Sequence, residues 1–551
     1  MHVPSTRRRW LVGSLVLGLG SFAIAEIVPT TLRDFRLSGT QIGDVAPDLL
    51  GESYTCSACH GYFDAEHSPY DSWKGSLMAL AGKDPLFFAQ MTTAEQDVTN
   101  VSYFCLRCHV PNTFVTGSAY AGIDAQLSDL DKDGVSCHFC HTMVDPIYKP
   151  GISPPEDVAV LAGLTHVPQF YGNAMFVLDP SGLRRGPYDD AIPPHQAIQS
   201  PFHKSGDFCG TCHDVGNVAT TRQPDGSYTY NQIETRTPTE DLAELFPLER
   251  TYTEWKLSDF ANGGVDMGGR FGGDGPTLIQ TCQDCHMPTV SAQGASGGPL
   301  RSDIKRHDFA GASAWVLDII DVYAQAIGDS DVDSSAVAVA KDKAVAMLEK
   351  AADLKLRVVG DQLNVRVINQ SGHKIPTGHI EGRRIWVNVR FFDENNLLVG
   401  EYGHYDYPTA HLDEASTTVY EMHVGISEYA SGVTGLPAGV TTHMSLANTI
   451  EKDNRIPPRG FDNATYEAAG APAVGTIYAD GQHWHDTQFT IPAGAARAKV
   501  RLYYQTVTRH YIEALRDANV TDHWGRTLYR LWLATGKCAP ILMTSATLQI
   551  E

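Results

Sequence analysis

The chain repeats one five-residue pattern, Cys-x-x-Cys-His, at Cys56–His60, Cys105–His109, Cys137–His141, Cys209–His213 and Cys282–His286, and these copies take ten of its eleven cysteines. Two thiols three positions apart can add across the two vinyl groups of one haem, and the next residue then offers its imidazole to the iron. Paired cysteines also build zinc ribbons and redox dithiols. A zinc reading needs the pairs to join in twos, which leaves one pair over and gives the unvarying histidine no role. The pattern therefore points to five covalently bound haem c groups. Cys56, Cys59, Cys105, Cys108, Cys137, Cys140, Cys209, Cys212, Cys282 and Cys285 would form the thioether bonds. His60, His109, His141, His213 and His286 would supply the proximal ligands to the irons.

Five macrocycles constrain the fold around them. The first cysteines of the copies lie 49, 32, 72 and 73 residues apart, so no fixed period supports a solenoid. Residues 26–315 are rich in Gly and Pro around the motifs and poor in long helical periodicity. They read as a pentahaem cytochrome c domain of short helices and loops whose core is largely haem. Ser334 to Ala352 reads as a helix, capped by Ser334 or Ser335, with apolar positions at Val337, Ala340, Ala344, Met347 and Leu348. Residues 316–352 are accordingly taken as a linker helix. The period then changes to two: Leu354, Leu356 and Val358, a Gly360-Asp361 turn, and Leu363, Val365 and Val367 predict a β-hairpin. Ile385 to Phe391, Val500 to Tyr504 and Leu542 to Ile550 predict further strands. The expected fold is thus multidomain α+β, with a C-terminal β-sandwich-like domain over residues 353–551.

The N-terminus carries an address. Arg7, Arg8 and Arg9 precede an apolar run from Leu11 to Ala25, shorter than the roughly 20 residues of a membrane span and ending in an A-x-A pattern. Residues 1–25 read as a signal peptide, with an uncleaved anchor as the alternative. The arginines loosely match a twin-arginine signal, but that route carries folded cargo, whereas haem c is attached to an unfolded exported chain, so general secretion is favoured. The expected location is periplasmic or extracellular, with no stable membrane span after cleavage. The net charge is −22, and removing residues 1–25, with three arginines and no acid, leaves −25. That balance disfavours nucleic acid and suits basic redox protein partners.

The second axial position of each iron decides function: His or Met there makes an electron carrier, whereas an open site lets a small molecule bind. Between residues 26 and 352 the non-motif histidines are His67, His138, His166, His195, His203 and His307. His307 follows the last motif, and His373 lies in the Gly/Pro-rich loop Gly372-His373-Lys374-Ile375-Pro376-Thr377-Gly378; rigid loops of this kind position ligands well. His195 and His203 flank the approach to the fourth motif, and Met78 is the sulfur candidate. Met78, His195, His203, His307 and His373 are the candidate distal ligands, with His67 and His138 in reserve.

Three stretches beyond the motifs carry a resemblance: Trp73-Lys74-Gly75-Ser76-Leu77-Met78-Ala79 with Asp84-Pro85 after it, Phe208 to Val215, and Asn369 to Gly378. The chain resembles multihaem c-type cytochromes of the superfamily that includes the tetrahaem cytochromes of ammonia oxidisers, hydroxylamine oxidoreductase and pentahaem nitrite reductase. In that company the resemblance implies that His373 reaches a haem from the β domain and that Met78 stands where a distal ligand is expected. The catalytic Cys-x-x-Cys-Lys of the pentahaem nitrite reductases is missing, so the likeness is one of scaffold.

Smaller signals complete the reading. Asp129, Asp131, Asp133 and Gly134 begin like a calcium loop, but its twelfth position is Cys140. His483 and His485 alternate on one strand face, and Cys538 reads as a buried small hydrophobe. The leading expectation is an exported pentahaem electron carrier. The rival is a haem oxidoreductase acting on a small nitrogen or sulfur compound at one five-coordinate iron, and a third reading is a homo-oligomer or extracellular filament joined head to tail.

Overall fold

The computed structural model describes residues 27–121 and 128–550. The signal peptide read at residues 1–25 lies outside the described residues.

Each motif sits on one or two turns of helix: Ser57–His60, Val101–His109, Cys137–Thr142, Gly206–Gly210 running on to His213, and Cys282–His286. A helical turn is what the spacing needs, because residues at i, i+3 and i+4 share one face. Side chains start several of these turns. The Ser136 hydroxyl accepts from Phe139 N, that of Ser205 from Asp207 N, and Thr281 forms a capping box with Asp284. Among the described residues before 310 the longest helix is Pro85–Asp97, with Pro85 in its first turn and the Asp84 carboxylate accepting from Leu86 N. Short two-stranded ribbons fill the spaces between.

The stretch read as one linker helix is two helices, Ala314–Ile327 and Ser334–Lys350. The second is capped by Asp333 and not by Ser334 or Ser335. The Asp333 carboxylate accepts from Ser335 N and Ala336 N, where a negative charge also meets the positive end of the helix dipole. Val337, Ala340, Ala344 and Leu348 are buried as the periodicity requires. Gly75 brings the segment before the first long helix against this one: a Cβ there would meet the Ala336 carbonyl oxygen at 2.3 Å.

The C-terminal region is a sandwich of two antiparallel sheets. Strands β1 (Ala352–Val359) and β2 (Gln362–Asn369) form the hairpin, turning at Gly360 with φ +62°, while β3 (Arg384–Phe392), β4 (Leu398–Tyr402) and β5 (Val419–Tyr420) follow. After β6 (Trp484–Thr490) come β7 (Arg497–Gln505) and β8 (Ile541–Gln549). One sheet runs β1-β2-β6, and the other runs β4-β3-β7-β8 with β5 also on β3. Leu363, Val365 and Val367 of the first pack with Ile385, Val387, Val389, Val500 and Leu502 of the second, every second residue facing inward.

Packing ignores the boundary at residue 353. Trp73 and Leu80 share a core with Trp315, Trp386, Leu528 and Trp532. The helices Arg509–Ala518 and Trp524–Ala534 close over Pro85–Asp97, where Phe88 meets Trp524 at a ring separation of 4.7 Å. Thr92 donates to Asp522, 430 residues away, at 2.7 Å. Among the described residues no helix is long and apolar enough to cross a membrane.

Candidate haem-binding cavity

All ten motif cysteines and all five motif histidines line one continuous cavity of 2350 Å³. A pocket for a single small molecule spans about 300–1,000 Å³, so this space is cut for something larger. None of the cysteines is in a disulfide. The motifs touch one another through their sulfurs: Cys56 meets Cys137, Cys108 meets Cys212 and Cys209 meets Cys282. Cys140 also lies within electrostatic reach of Cys209. The fourth motif is thus the hub, adjoining the second, third and fifth, and the first adjoins the third.

The motif imidazoles are oriented by their second nitrogen. Nδ1 of His60 bonds the Gly294 carbonyl at 2.7 Å, that of His141 the Arg185 carbonyl at 2.8 Å, and that of His286 the Ala310 carbonyl at 2.7 Å. A backbone acceptor on Nδ1 fixes the tautomer and leaves Nε2 as a lone-pair donor, the arrangement that metal-binding histidines use. His213 differs, since its Nδ1 faces the Glu249 carboxylate at 3.4 Å. Burial alone would lower the His213 imidazole, and Glu249 overrides it, raising it to about 9. His109 lies flat on Phe87, ring centroids 3.8 Å apart and planes 8° from parallel.

Opposite three motif rings stand three of the non-motif histidines. Two imidazoles bonded to one iron through metal–nitrogen bonds of about 2 Å hold their ring centroids about 6.4 Å apart. His286 and His373 are 6.4 Å apart, His141 and His307 6.4 Å, and His60 and His195 6.5 Å. Burial pushes His373 down to about 4 and His307 to about 3, so both rings are neutral, the form that ligates metal. The cavity, its thiols and these separations fit haem.

The other candidates are placed differently. His203 stacks 5.7 Å from His141, but its Nε2 bonds the Cys140 carbonyl at 3.1 Å. Both nitrogens of His138 are engaged, Nε2 with Thr55 at 3.2 Å and Nδ1 with Arg184. His67 is held by Asp64 at 2.9 Å. Met78 lines the cavity, and its carbonyl accepts from Val135 N at 2.9 Å. Asp133 of the calcium-like stretch accepts from the backbone and hydroxyl of Ser53, and Asp131 serves the capping box of Ser128. Cys538 is 1% exposed, as expected.

The loop that carries His373 is anchored by a buried charge network. Lys374 Nζ donates to Asp453 at 2.8 Å and to the carbonyls of Ala471 and Pro472. Arg455 joins Asp453 to Glu254, and Glu254 accepts from Lys374 N at 3.0 Å. Glu254 belongs to the motif-bearing region, so the network ties the two halves together. The sequence gives no warning of this set, nor of Glu249 or of His379, a further cavity-lining imidazole. Only the nearness of His379 to the Gly-His-Lys-x-Pro-Thr-Gly loop could have pointed to it.

Residues 55–142 match the family described as cytochrome c554 and c-prime. Among curated proteins none matches the chain significantly. The crystal structure of a penta-heme cytochrome c552 from Thermochromatium tepidum covers 92% of this chain and 100% of its own, with a TM-score of 0.50 and 18% sequence identity. At that identity the likeness is one of fold. The family match over residues 55–142 supports a c-type cytochrome with covalently bound haem, and the shared fold agrees with it.

Proposed function

We propose that the chain is an exported pentahaem electron carrier, working in the periplasm or outside the cell between redox proteins. The observation that carries this reading is the single cavity faced by all five motifs, with the first beside the third and the fourth beside the second, third and fifth. When bound, haem supplies one-electron cycling of iron between the ferric and ferrous states. The ten motif cysteines would hold five macrocycles, and His60, His109, His141, His213 and His286 would face the irons. His195, His307 and His373 are the second axial ligands at the first, third and fifth positions, on the strength of their ring separations. The surplus of acid over base favours a basic partner, whose association would slow as salt rises.

A second reading has one observation in its favour: His109 stacks on Phe87 and His213 on no ring found at the 6.4 Å separation among the described residues. An open position there would suit a haem oxidoreductase acting on a small nitrogen or sulfur compound. The exported, haem-loaded protein tests both. A pyridine haemochrome count of five and a spectrum unmoved by nitrite, hydroxylamine or sulfite is expected. A high-spin fraction that shifts on adding one of these ligands would replace the carrier with the enzyme.

A further inference from the structure

Nδ1 of His60, His141 and His286 faces a neutral backbone carbonyl in each case, whereas Nδ1 of His213 faces the Glu249 carboxylate at 3.4 Å. That contact is longer than the usual hydrogen-bond range of about 2.7–3.2 Å, but a full charge still acts over the distance. The exception falls on the fourth motif, the one that adjoins the second, third and fifth.

Backbone and side chains together hold Glu249 at this place. The short strand Phe246–Glu249 pairs with Val215–Asn217, and the register sets Glu249 opposite Val215, two residues past His213. Tyr252 N donates to the His213 carbonyl at 2.9 Å, and Arg250 Nη1 donates to the Val215 carbonyl at 2.8 Å. The Thr253 hydroxyl donates to the Asp214 carboxylate. Residues 249–253 thus grip residues 213–215 at successive points. The Glu249 carboxylate itself accepts from the Thr251 hydroxyl at 3.2 Å, and its side chain is only 18% exposed. A carboxylate so little exposed is weakly screened, so its charge bears on the imidazole it faces.

We infer that Glu249 is a positioning residue for the fourth haem, orienting His213 through Nδ1 and lowering that haem's reduction potential below the value a backbone carbonyl would give. A carboxylate on Nδ1 raises the basicity of a metal-bound imidazole, and a stronger donor with a negative charge behind it favours ferric over ferrous iron. At the hub, a lowered potential would pass electrons between the neighbouring positions without holding them. This tuning rests on the haem reading above and makes no demand on which ligand takes the other face of that iron.

The test uses the full-length, haem-loaded protein with two substitutions. Glu249→Gln keeps a carbonyl acceptor at the same reach and removes the charge, and Glu249→Asp keeps the charge but draws it back by one methylene. Spectroelectrochemical titration should show one of the five midpoint potentials rising in Glu249→Gln while the other four stay in place, and one ferric signal in electron paramagnetic resonance should change with it. Glu249→Asp should move the same midpoint upward by less. Five unchanged midpoints in a Glu249→Gln protein that holds five haems would overturn the assignment and leave the haem reading standing. A small rise shared evenly by several haems would overturn it too, because a charge acting only through space does not single out His213. Should Glu249→Gln fail to fold, unmoved midpoints in Glu249→Asp decide against the assignment. A pyridine haemochrome count of zero in the parent protein would sink the haem reading itself, and this inference with it.

Discussion

The two halves of the molecule are stabilised in opposite ways. In the sandwich, side chains fill the middle: Val365, Val387 and Leu502 are each 0% exposed and touch their own kind. In the motif region the middle is the 2350 Å³ cavity, and side chains form its wall. Interiors are normally packed at the density of organic crystals, and a wall of thiols and imidazoles around a volume of this size is shaped to pack against a guest. The difference teaches that one half is specified by its residues and the other by residues plus guest.

The strongest way to break that contrast is to withhold the guest. Replacing all ten motif cysteines with alanine should strip amide hydrogen-exchange protection from the motif turns while β1 to β8 keep theirs. Equal loss in both halves would show that the sandwich is not independent. Next in size is the seam. Lys374→Met removes one partner from a network in which Lys374 and Glu254 are 0% and Asp453 1% exposed, and should cost about 3 kcal/mol in chemical denaturation, because the buried Asp453 carboxylate loses one of its two cations and keeps only Arg455. A cost under about 1 kcal/mol would mean the halves are held by apolar packing alone. Asp333→Ala, which deletes a helix cap, should cost about 1 kcal/mol in the same assay.

The smallest effect is a pH dependence at a second seam. His443 bonds Asp97 of the Pro85–Asp97 helix at 2.9 Å, and this hydrogen bond, opposed by burial, raises its basicity above that of a free histidine. A raised value in the folded state stabilises below the unfolded value near 6.5, and the gain disappears as pH climbs through the raised one. With the His443 side chain 31% exposed the gain should be about 1 kcal/mol or less. Denaturation midpoints measured from pH 6 upward should fall in the parent relative to Asp97→Asn, and parallel curves would remove the pair from the account.

Legibility in the sequence followed the same division. The sandwich strands were readable because their interior is made of the chain: alternation at Leu363, Val365 and Val367 is itself the core. The motif cysteines and histidines stand out in sequence because covalent haem attachment demands a fixed spacing. The second axial positions were less so. His307 and His373 stand out by loop chemistry, whereas His203, a candidate in sequence, and His138, a reserve, are set apart by their hydrogen bonds to Cys140, Thr55 and Arg184. His379 carries no local pattern at all; Thr251, 126 residues away from Thr377, pins its loop beside Glu249 and His213 of the fourth motif. The Ser334–Lys350 cap moved by one residue because a carboxylate at Asp333 outcompetes the hydroxyls beside it.

The late helix lid over Pro85–Asp97 also sets an order of events. Phe88, Thr92 and Gln96 wait for Trp524, Asp522 and the Ala518 carbonyl, so the wall beside the second motif stays open until residues 518–524 have been made. Chains emerge at about 5–20 residues per second, and more than 400 residues of delay is a window of roughly 20 to 80 seconds. Throughout it the early cysteines remain within reach of whatever machinery joins them to their cofactor, and the final helices shut the door once that work is done.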